Sequence, residues 1–259
     1  MTGIDLPKKK RLDQLLVENH LVPSREKARQ LIMAGAVYIK GSRVDKPGTL
    51  IFPSEIEIRG KAIPYVSRGG VKLEHALNAF NVSPQKKTVL DAGASTGGFT
   101  DCLLQKGAVK VYAVDVGYGQ LAWQLQKDPR VVRIERVNVR YLEPEKIGEK
   151  VDLVVIDLSF ISLTLVLEHL SKFLKPEGEM IALIKPQFEV GKGEVGKGGI
   201  VKDQELHQKT IQKIEVFSAG IGLQSLGIVE SPILGQKGNK EFLIHLKRSS
   251  NSNGPVNNT

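Results

Sequence analysis

An apolar strand that runs into a glycine-rich turn and then opens a helix constrains this chain more than any other feature: Val89-Leu-Asp91-Ala-Gly93-Ala-Ser95-Thr96-Gly97-Gly98-Phe99. Around and beyond it the sequence alternates strand and helix. Strands are predicted at Thr88–Leu90, Val109–Val114, Val131–Glu135, Asp152–Ile156, Met180–Ile184, Leu223–Val229 and Phe242–Leu246. Helices are predicted between them, notably at Gly98–Lys106, Ser162–Phe173 and Asp203–Ala219. Such alternation argues an α/β fold with a mostly parallel, doubly wound sheet. In that architecture the glycine-rich turn lies at the carboxyl end of the first strand, where ligands bind. Glycines there let the backbone approach a ligand and expose the N–H groups of a helix start.

The spacing separates two cofactor classes. A dinucleotide fingerprint reads G-x-G-x-x-G, and its second glycine makes room for a pyrophosphate. Here Ser95 takes that position, the glycines are Gly93, Gly97 and Gly98, and an acid, Asp91, stands ahead of them. A cofactor with an ammonium group and no phosphate suits this pattern, namely S-adenosylmethionine. A second acid, Asp115, ends the next strand, where a carboxylate can bind ribose hydroxyls. Asn138, after the third strand, is placed to recognise an adenine.

Four charged residues stand out by their place along this sheet. Lys72 follows Ser67-Arg68-Gly69-Gly70. Asp157 ends the strand Leu153–Ile156, Lys185 ends Met180–Ile184 just before Pro186, and Glu241 opens the last strand. A charge that ends so apolar a strand is costly unless it is paired, and two lysines converging with two acids would satisfy one another.

A compact basic segment, residues 8–60, precedes this region. Leu12, Leu15 and Leu16 recur at helical spacing, as do Ala28, Leu31 and Ile32. Ser24 after Pro23 predicts an N-cap for a helix carrying Arg25, Lys27 and Arg29, and Gly35 predicts its end. Short strands follow at residues 37–40 and 56–58, giving a small α+β domain. Residues 1–66 hold 12 Lys and Arg against 7 Asp and Glu, so this quarter of the chain carries +5 of the net +9. The balance points to a polyanionic partner, because Lys and Arg release counterions from phosphate backbones. Arg11, Arg25, Lys27, Arg29, Lys40 and Arg43 are the candidate RNA contacts, with Arg68 beyond a bridge at residues 61–66. The Asn- and Ser-rich stretch 249–259 is expected to be disordered.

The one cysteine, Cys102, excludes an intrachain disulfide, and no His/Cys cluster has metal-ligand spacing, so no metal is expected. Residues 1–10 lack the pattern of a signal peptide, and no run reaches the ~18–20 apolar residues of a membrane span. A cytoplasmic protein is expected.

The stretches YVSRGGVKL (65–73), DAGASTGGFTD (91–101), VDVGYGQL (114–121), DLSFISL (157–163), IKPQFEVG (184–191) and GNKEF (238–242) resemble the TlyA, or haemolysin A-like, family of ribosomal RNA 2′-O-methyltransferases. In that family an FtsJ-type catalytic domain follows an RNA-binding domain of the type named after ribosomal protein S-four. The resemblance implies a Rossmann-like class I methyltransferase sheet of seven strands, the last antiparallel, over residues 67–248. It also implies that Lys72, Asp157, Lys185 and Glu241 form the catalytic set, that Asp157 borders the cofactor, and that a cytidine in ribosomal RNA or a ribosomal subunit is the acceptor. Lys185 is then the expected base for a ribose 2′-hydroxyl. Phe160, just past Asp157, is expected to pack in the core, with stacking against a target base pulled from its helix as the alternative. Two other readings stand beside this one: an RNA-binding assembly factor without catalysis, and a secreted haemolysin.

Overall fold

The computed structural model describes residues 8–33, 35–53, 56–59, 63–191 and 193–249. The predicted disorder of residues 250–259 and part of the bridge at 61–66 lie outside these described residues. The chain divides into two compact units, residues 1–70 and 71–259.

In the first unit, β1 (Lys10–Arg11) leads into α1 (Leu12–Glu18), and α2 (Arg25–Met33) follows. Then come β2 (Val37–Ile39), β3 (Ser42–Arg43), β4 (Leu50–Ile51) and β5 (Ile56–Ile58). β1 pairs with β4, while β2 is flanked by β3 and β5, all antiparallel. Ser24 Oγ accepts the Lys27 N–H at 3.2 Å, the predicted cap of α2. The helical periodicity turns Leu12, Leu16, Ala28 and Ile32 inward, where they pack with Val22 and Val37. Asp13 is fully buried beneath these helices, an unusual place for a charge, and it is compensated twice. Arg11 donates to both of its oxygens at 2.9 and 3.0 Å, and Arg25 donates to Oδ2 at 2.9 Å.

The second unit carries most of α3 (Gly69–Ala79) and then one seven-stranded sheet. Its strands are β6 (Thr88–Ala92), β7 (Lys110–Asp115), β8 (Val131–Glu135), β9 (Val151–Ile156), β10 (Leu174–Ile184), β11 (Leu223–Glu230) and β12 (Phe242–Arg248). Between them lie α4 (Gly98–Gln105), α5 (Trp123–Gln126), α6 (Leu167–Ser171), α7 (Pro186–Glu189) and α8 (Gln204–Gly220). The spatial order is β11-β12-β10-β9-β6-β7-β8, and β12 alone runs antiparallel to its neighbours. The central strands are apolar over Val89–Leu90 and Leu153–Ile156 because both faces are covered there, as in buried parallel sheets. Leu153, Ile156, Leu170 and Met180 are fully buried. Each such side chain stabilises by roughly 1.5–3 kcal/mol relative to exposure.

Chain order reverses at β6: β7 and β8 build outward on one side, β9 and β10 on the other. That switch point opens a crevice at the carboxyl ends of β6 and β9. Two predicted elements differ. The helix expected at 162–173 is a 3-10 turn (Leu163–Leu165), a break at Val166 (φ −127°), and the short α6. The apolar pattern was real, since Leu163, Val166, Leu167 and Leu170 are all buried, yet Ser162 caps a tighter turn by accepting Thr164 N–H. β10 starts at Leu174 rather than Met180, because Pro176 and Gly178 sit at a register shift that reads as a turn.

Candidate active site

Strand ends build the site. β6 delivers Gly93, β7 delivers Asp115, β9 delivers Asp157 and β10 delivers Lys185, all at the same edge of the sheet. A cleft of about 890 Å³ opens there, lined by Gly93, Ser95, Asp115, Asn138, Asp157, Ser159, Phe160 and Phe188 among others.

Lys185 Nζ lies 2.6 Å from Asp157 Oδ1 and donates to Ser159 Oγ at 3.0 Å. Lys72, in the first turns of α3, donates to Glu241 Oε2, and both side chains are buried. The four predicted residues thus form two ion pairs. The pairs communicate through charge. Burial acts against the Asp157 carboxylate, but the ammonium groups of Lys185 and then Lys72 outweigh it and hold the group below its usual range. Gly235 is packed against the second pair, where a Cβ would lie 2.0 Å from Glu241 Oε1.

Beside Asp157, Gly93 adopts φ +93°, a left-handed conformation that glycine takes without strain. A Cβ there would lie 2.3 Å from the Asp157 carbonyl oxygen, so the turn can follow this path only with glycine. Ser95, also left-handed at φ +47°, donates its N–H to Asp115 Oδ2 at 2.8 Å, while Gly117 N–H reaches Oδ1 at 2.7 Å. Asn138 Oδ1 accepts Arg140 N–H at 3.0 Å and caps a short turn at the cleft edge.

Asp91 lies behind the turn. Thr100 Oγ1 donates to its Oδ2 at 2.6 Å, and its Oδ1 is buried with no hydrogen-bond partner among the described residues. Burial pushes this carboxyl up to about 7, against the Thr100 hydrogen bond and with repulsion from Asp157 and Asp115. A buried acceptor left without a donor is costly, and a cofactor bearing an ammonium group fits the need that Asp91 expresses. The tight glycine turn and Asp115 fit the adenosine portion of such a molecule.

Several predicted cofactor residues do not line the cleft. Thr96 bonds Ala122 through its carbonyl, Gly97 caps α4 and backs onto Leu121 and Leu125, and Gly98 and Phe99 are buried in α4. These residues hold the turn rather than face the crevice. Phe160 departs from the expected core packing. Its ring is 89% exposed, its backbone is left-handed at φ +65°, and it stands 5.0 Å from the Phe188 ring at the cleft mouth. It is no core residue. Ser159 and Phe188 were missed as site residues although both lie within the DLSFISL and IKPQFEVG stretches. Thr100 was missed likewise, within DAGASTGGFTD, and Gly235 lies outside every such stretch.

In the first unit, Lys27, Arg29, Lys40 and Arg43 are exposed. Arg11 and Arg25 are half-exposed and oriented by Asp13, whereas Arg68 is only 16% exposed and lies 3.8 Å from Asp45. Among the described residues no cluster of His, Cys, Asp and Glu could hold a metal ion, and no helix is long and apolar enough to cross a membrane.

Comparison with known proteins identifies the family. The FtsJ-like methyltransferase model matches residues 65–248 and the S4 domain model matches residues 10–55. The chain is 51% identical over 241 residues to YqxC of Bacillus subtilis, which carries an rRNA methyltransferase name, covering 92% of this chain and 86% of that one. It is 46% identical over 244 residues to the 16S/23S rRNA (cytidine-2′-O)-methyltransferase TlyA of Mycobacterium tuberculosis, covering 93% and 91%. A solved structure from Streptococcus thermophilus that carries a hemolysin name superposes with TM-score 0.75 at 44% identity, covering 95% of this chain and 90% of that one.

Proposed function

Because the chain belongs to the FtsJ-like methyltransferase family and carries an S4 domain ahead of that region, we propose that it methylates a ribose 2′-hydroxyl of ribosomal RNA, with a cytidine as acceptor. The methyl donor is S-adenosylmethionine, and the work is done in the cytoplasm. The observation that carries the reading is the double ion pair, Lys185 with Asp157 and Lys72 with Glu241, beside a cleft that Asp157 and the glycine turn both line.

Bound there, S-adenosylmethionine supplies a methyl group on a sulfonium whose departure as a thioether makes the carbon a strong electrophile. The acceptor is the weak partner, since a ribose hydroxyl attacks well only as its proton leaves. Lys185 Nζ is placed to accept that proton from the 2′-oxygen, a role that contributes typically ~10²–10⁴-fold. Asp157 stays anionic under the two lysines and stabilises the ammonium that results. Ser159 Oγ fixes the direction of the Lys185 amine. Glu241 holds the buried Lys72, whose charge acts on Asp157. Holding the two reactants in line supplies much of the remaining acceleration. Phe160, exposed and strained, offers a ring to a base drawn out of its stack.

The first domain supplies affinity. Phosphate contacts from Arg11, Arg25, Lys27, Arg29, Lys40 and Arg43 position the protein on RNA without reading sequence. Domain limits of 8–60 and 67–248 with a bridge at 61–66 fit this division of labour. The test is methyl transfer from radiolabelled S-adenosylmethionine to ribosomal subunits lacking the modification, and separately to protein-free ribosomal RNA, with Lys185→Ala as control. Alkali-resistant label in the RNA, absent with the variant, is expected. No label despite cofactor binding would overturn the reading in favour of an RNA-binding factor.

A further inference from the structure

One buried carboxylate near the site takes no part in the cleft lining. Glu189, at the end of α7, has a side chain only 1% exposed. Its Oε1 accepts the Leu163 N–H at 2.7 Å and its Oε2 accepts the Ser162 hydroxyl at 2.5 Å. Lys213 of α8 donates to the Glu189 carbonyl at 2.7 Å and lies 3.3 Å from Oε2, which supplies the countercharge that a buried carboxylate needs.

The two segments joined here are those that carry half of the catalytic set. From Lys185 to Glu189 the chain makes one helical turn. From Asp157 to Ser162 it is irregular, and it contains Ser159 and the strained Phe160. An irregular segment has no backbone ladder to hold it, so its path depends on side-chain contacts. The Asp157–Lys185 pair, the Lys185–Ser159 bond and the Phe160–Phe188 ring contact all cross between the same two segments. Glu189 is the buried, non-cleft member of this set, and it fixes the far end of the loop.

We propose that Glu189 is a positioning residue: its carboxylate pins the segment 158–162 to the turn after β10 and so sets the distance between Asp157 and Lys185. The proposal rests on the role given to Lys185 above only for its catalytic consequence, because the geometric consequence can be read without turnover.

The experiment uses the full chain as wild type, Glu189→Gln and Glu189→Ala, with two readouts. The first is the rate at which each lysine is acetylated by a low dose of acetic anhydride, followed by mass spectrometry. Lys185 is expected to react several-fold faster in Glu189→Ala and to an intermediate degree in Glu189→Gln, which keeps an acceptor for Leu163. Lys72, paired with Glu241, is expected to be unchanged. The second is methyl transfer to ribosomal subunits. Here kcat is expected to fall on the order of 10- to 100-fold, the cost of a misplacement near 1 Å, with the KM for S-adenosylmethionine within about twofold. Lys185 labelling equal to wild type overturns the proposal whether or not wild type transfers a methyl group. Equal acceleration at Lys72 and Lys185 also overturns it, since that marks general loosening. Wild type without transfer but with Lys185 selectively exposed in the variants would retain the positioning role and defeat the functional reading alone.

Discussion

Asp157 and Lys185 stand at the ends of adjacent parallel strands, and their side chains meet at 2.6 Å over the crevice where the sheet reverses its order. Neither strand could present its charge alone at acceptable cost, so the pair makes the site and also makes it affordable to the fold. Asp157→Asn should keep the shape and remove the charge that receives the Lys185 ammonium. Methyl transfer is expected to drop by about 10²-fold or more, while calorimetric affinity for S-adenosylhomocysteine changes far less. A fall in affinity that matches the fall in rate would assign Asp157 to cofactor binding instead.

The buried Asp91 carboxyl has a folded pKa of about 7 against an ordinary value of 3.8. The folded chain therefore keeps this proton to higher pH than the unfolded chain does. Its contribution to stability is present below about pH 4, declines as pH rises toward 7 and is lost above that, at up to about 1.4 kcal/mol per pH unit for one proton. Asp91→Asn keeps an acceptor for Thr100 and removes the titration. Thermal unfolding without cofactor from pH 5 to 8 should show a flatter profile in the variant than in wild type. Parallel profiles would remove Asp91 as the source.

How much of this could be read from residues alone varies with the kind of information involved. The glycine turn, Asp91, Asp115 and the strand-end charges Asp157, Lys185 and Glu241 were readable because linear spacing fixes which residues end a strand, whereas Lys72 sits in the helix α3 and stood out through the Ser67-Arg68-Gly69-Gly70 stretch before it. Phe160 was not. An aromatic ring beside an apolar strand is ordinarily core, and nothing local announces a left-handed backbone that swings the ring into solvent. The pairing of Arg11 and Arg25 with Asp13 was hidden for a different reason: Arg25 comes 12 residues later and meets Asp13 only after α1 and α2 pack. The orphaned oxygen of Asp91 is likewise a property of packing density, which sequence does not state.

Gly235→Ala should act on catalysis through Glu241. The added methyl would lie 2.0 Å from Oε1, and the carboxylate end, being the flexible partner, must move off Lys72. Methyl transfer is expected to fall on the order of 10- to 100-fold, with the urea midpoint little changed. An unaffected rate would show that the Lys72–Glu241 contact is dispensable.

Phe160→Ala removes a ring that supports almost nothing in the free protein. Stability should stay within about 0.5 kcal/mol, as at other surface positions. If the ring stacks on a displaced base, the KM for RNA should rise by roughly tenfold. Titrating protein-free ribosomal RNA at saturating S-adenosylmethionine separates the two effects, and an unchanged KM and rate would leave Phe160 without a role in RNA capture.

Arg29 is exposed on α2 and is a clean probe of the first domain. Arg29→Ala should weaken RNA binding uniformly across sequences and lower the magnitude of the salt slope by about 1. Fluorescence anisotropy from low to moderate salt would measure it, and an unaltered slope would place the RNA elsewhere.

The position of β12 carries a consequence for biosynthesis. This strand is the last of the sheet to be made, yet it belongs between β10 and β11 rather than at an edge. While translation is still short of Phe242, those two strands face an open slot and cannot bond to one another. Lys72, made 169 residues before its partner, waits without a carboxylate for the same interval. A chain stopped short of Glu241 therefore has neither the full seven-stranded sheet nor the full set of site charges, so the last strand is needed for both the fold and the site.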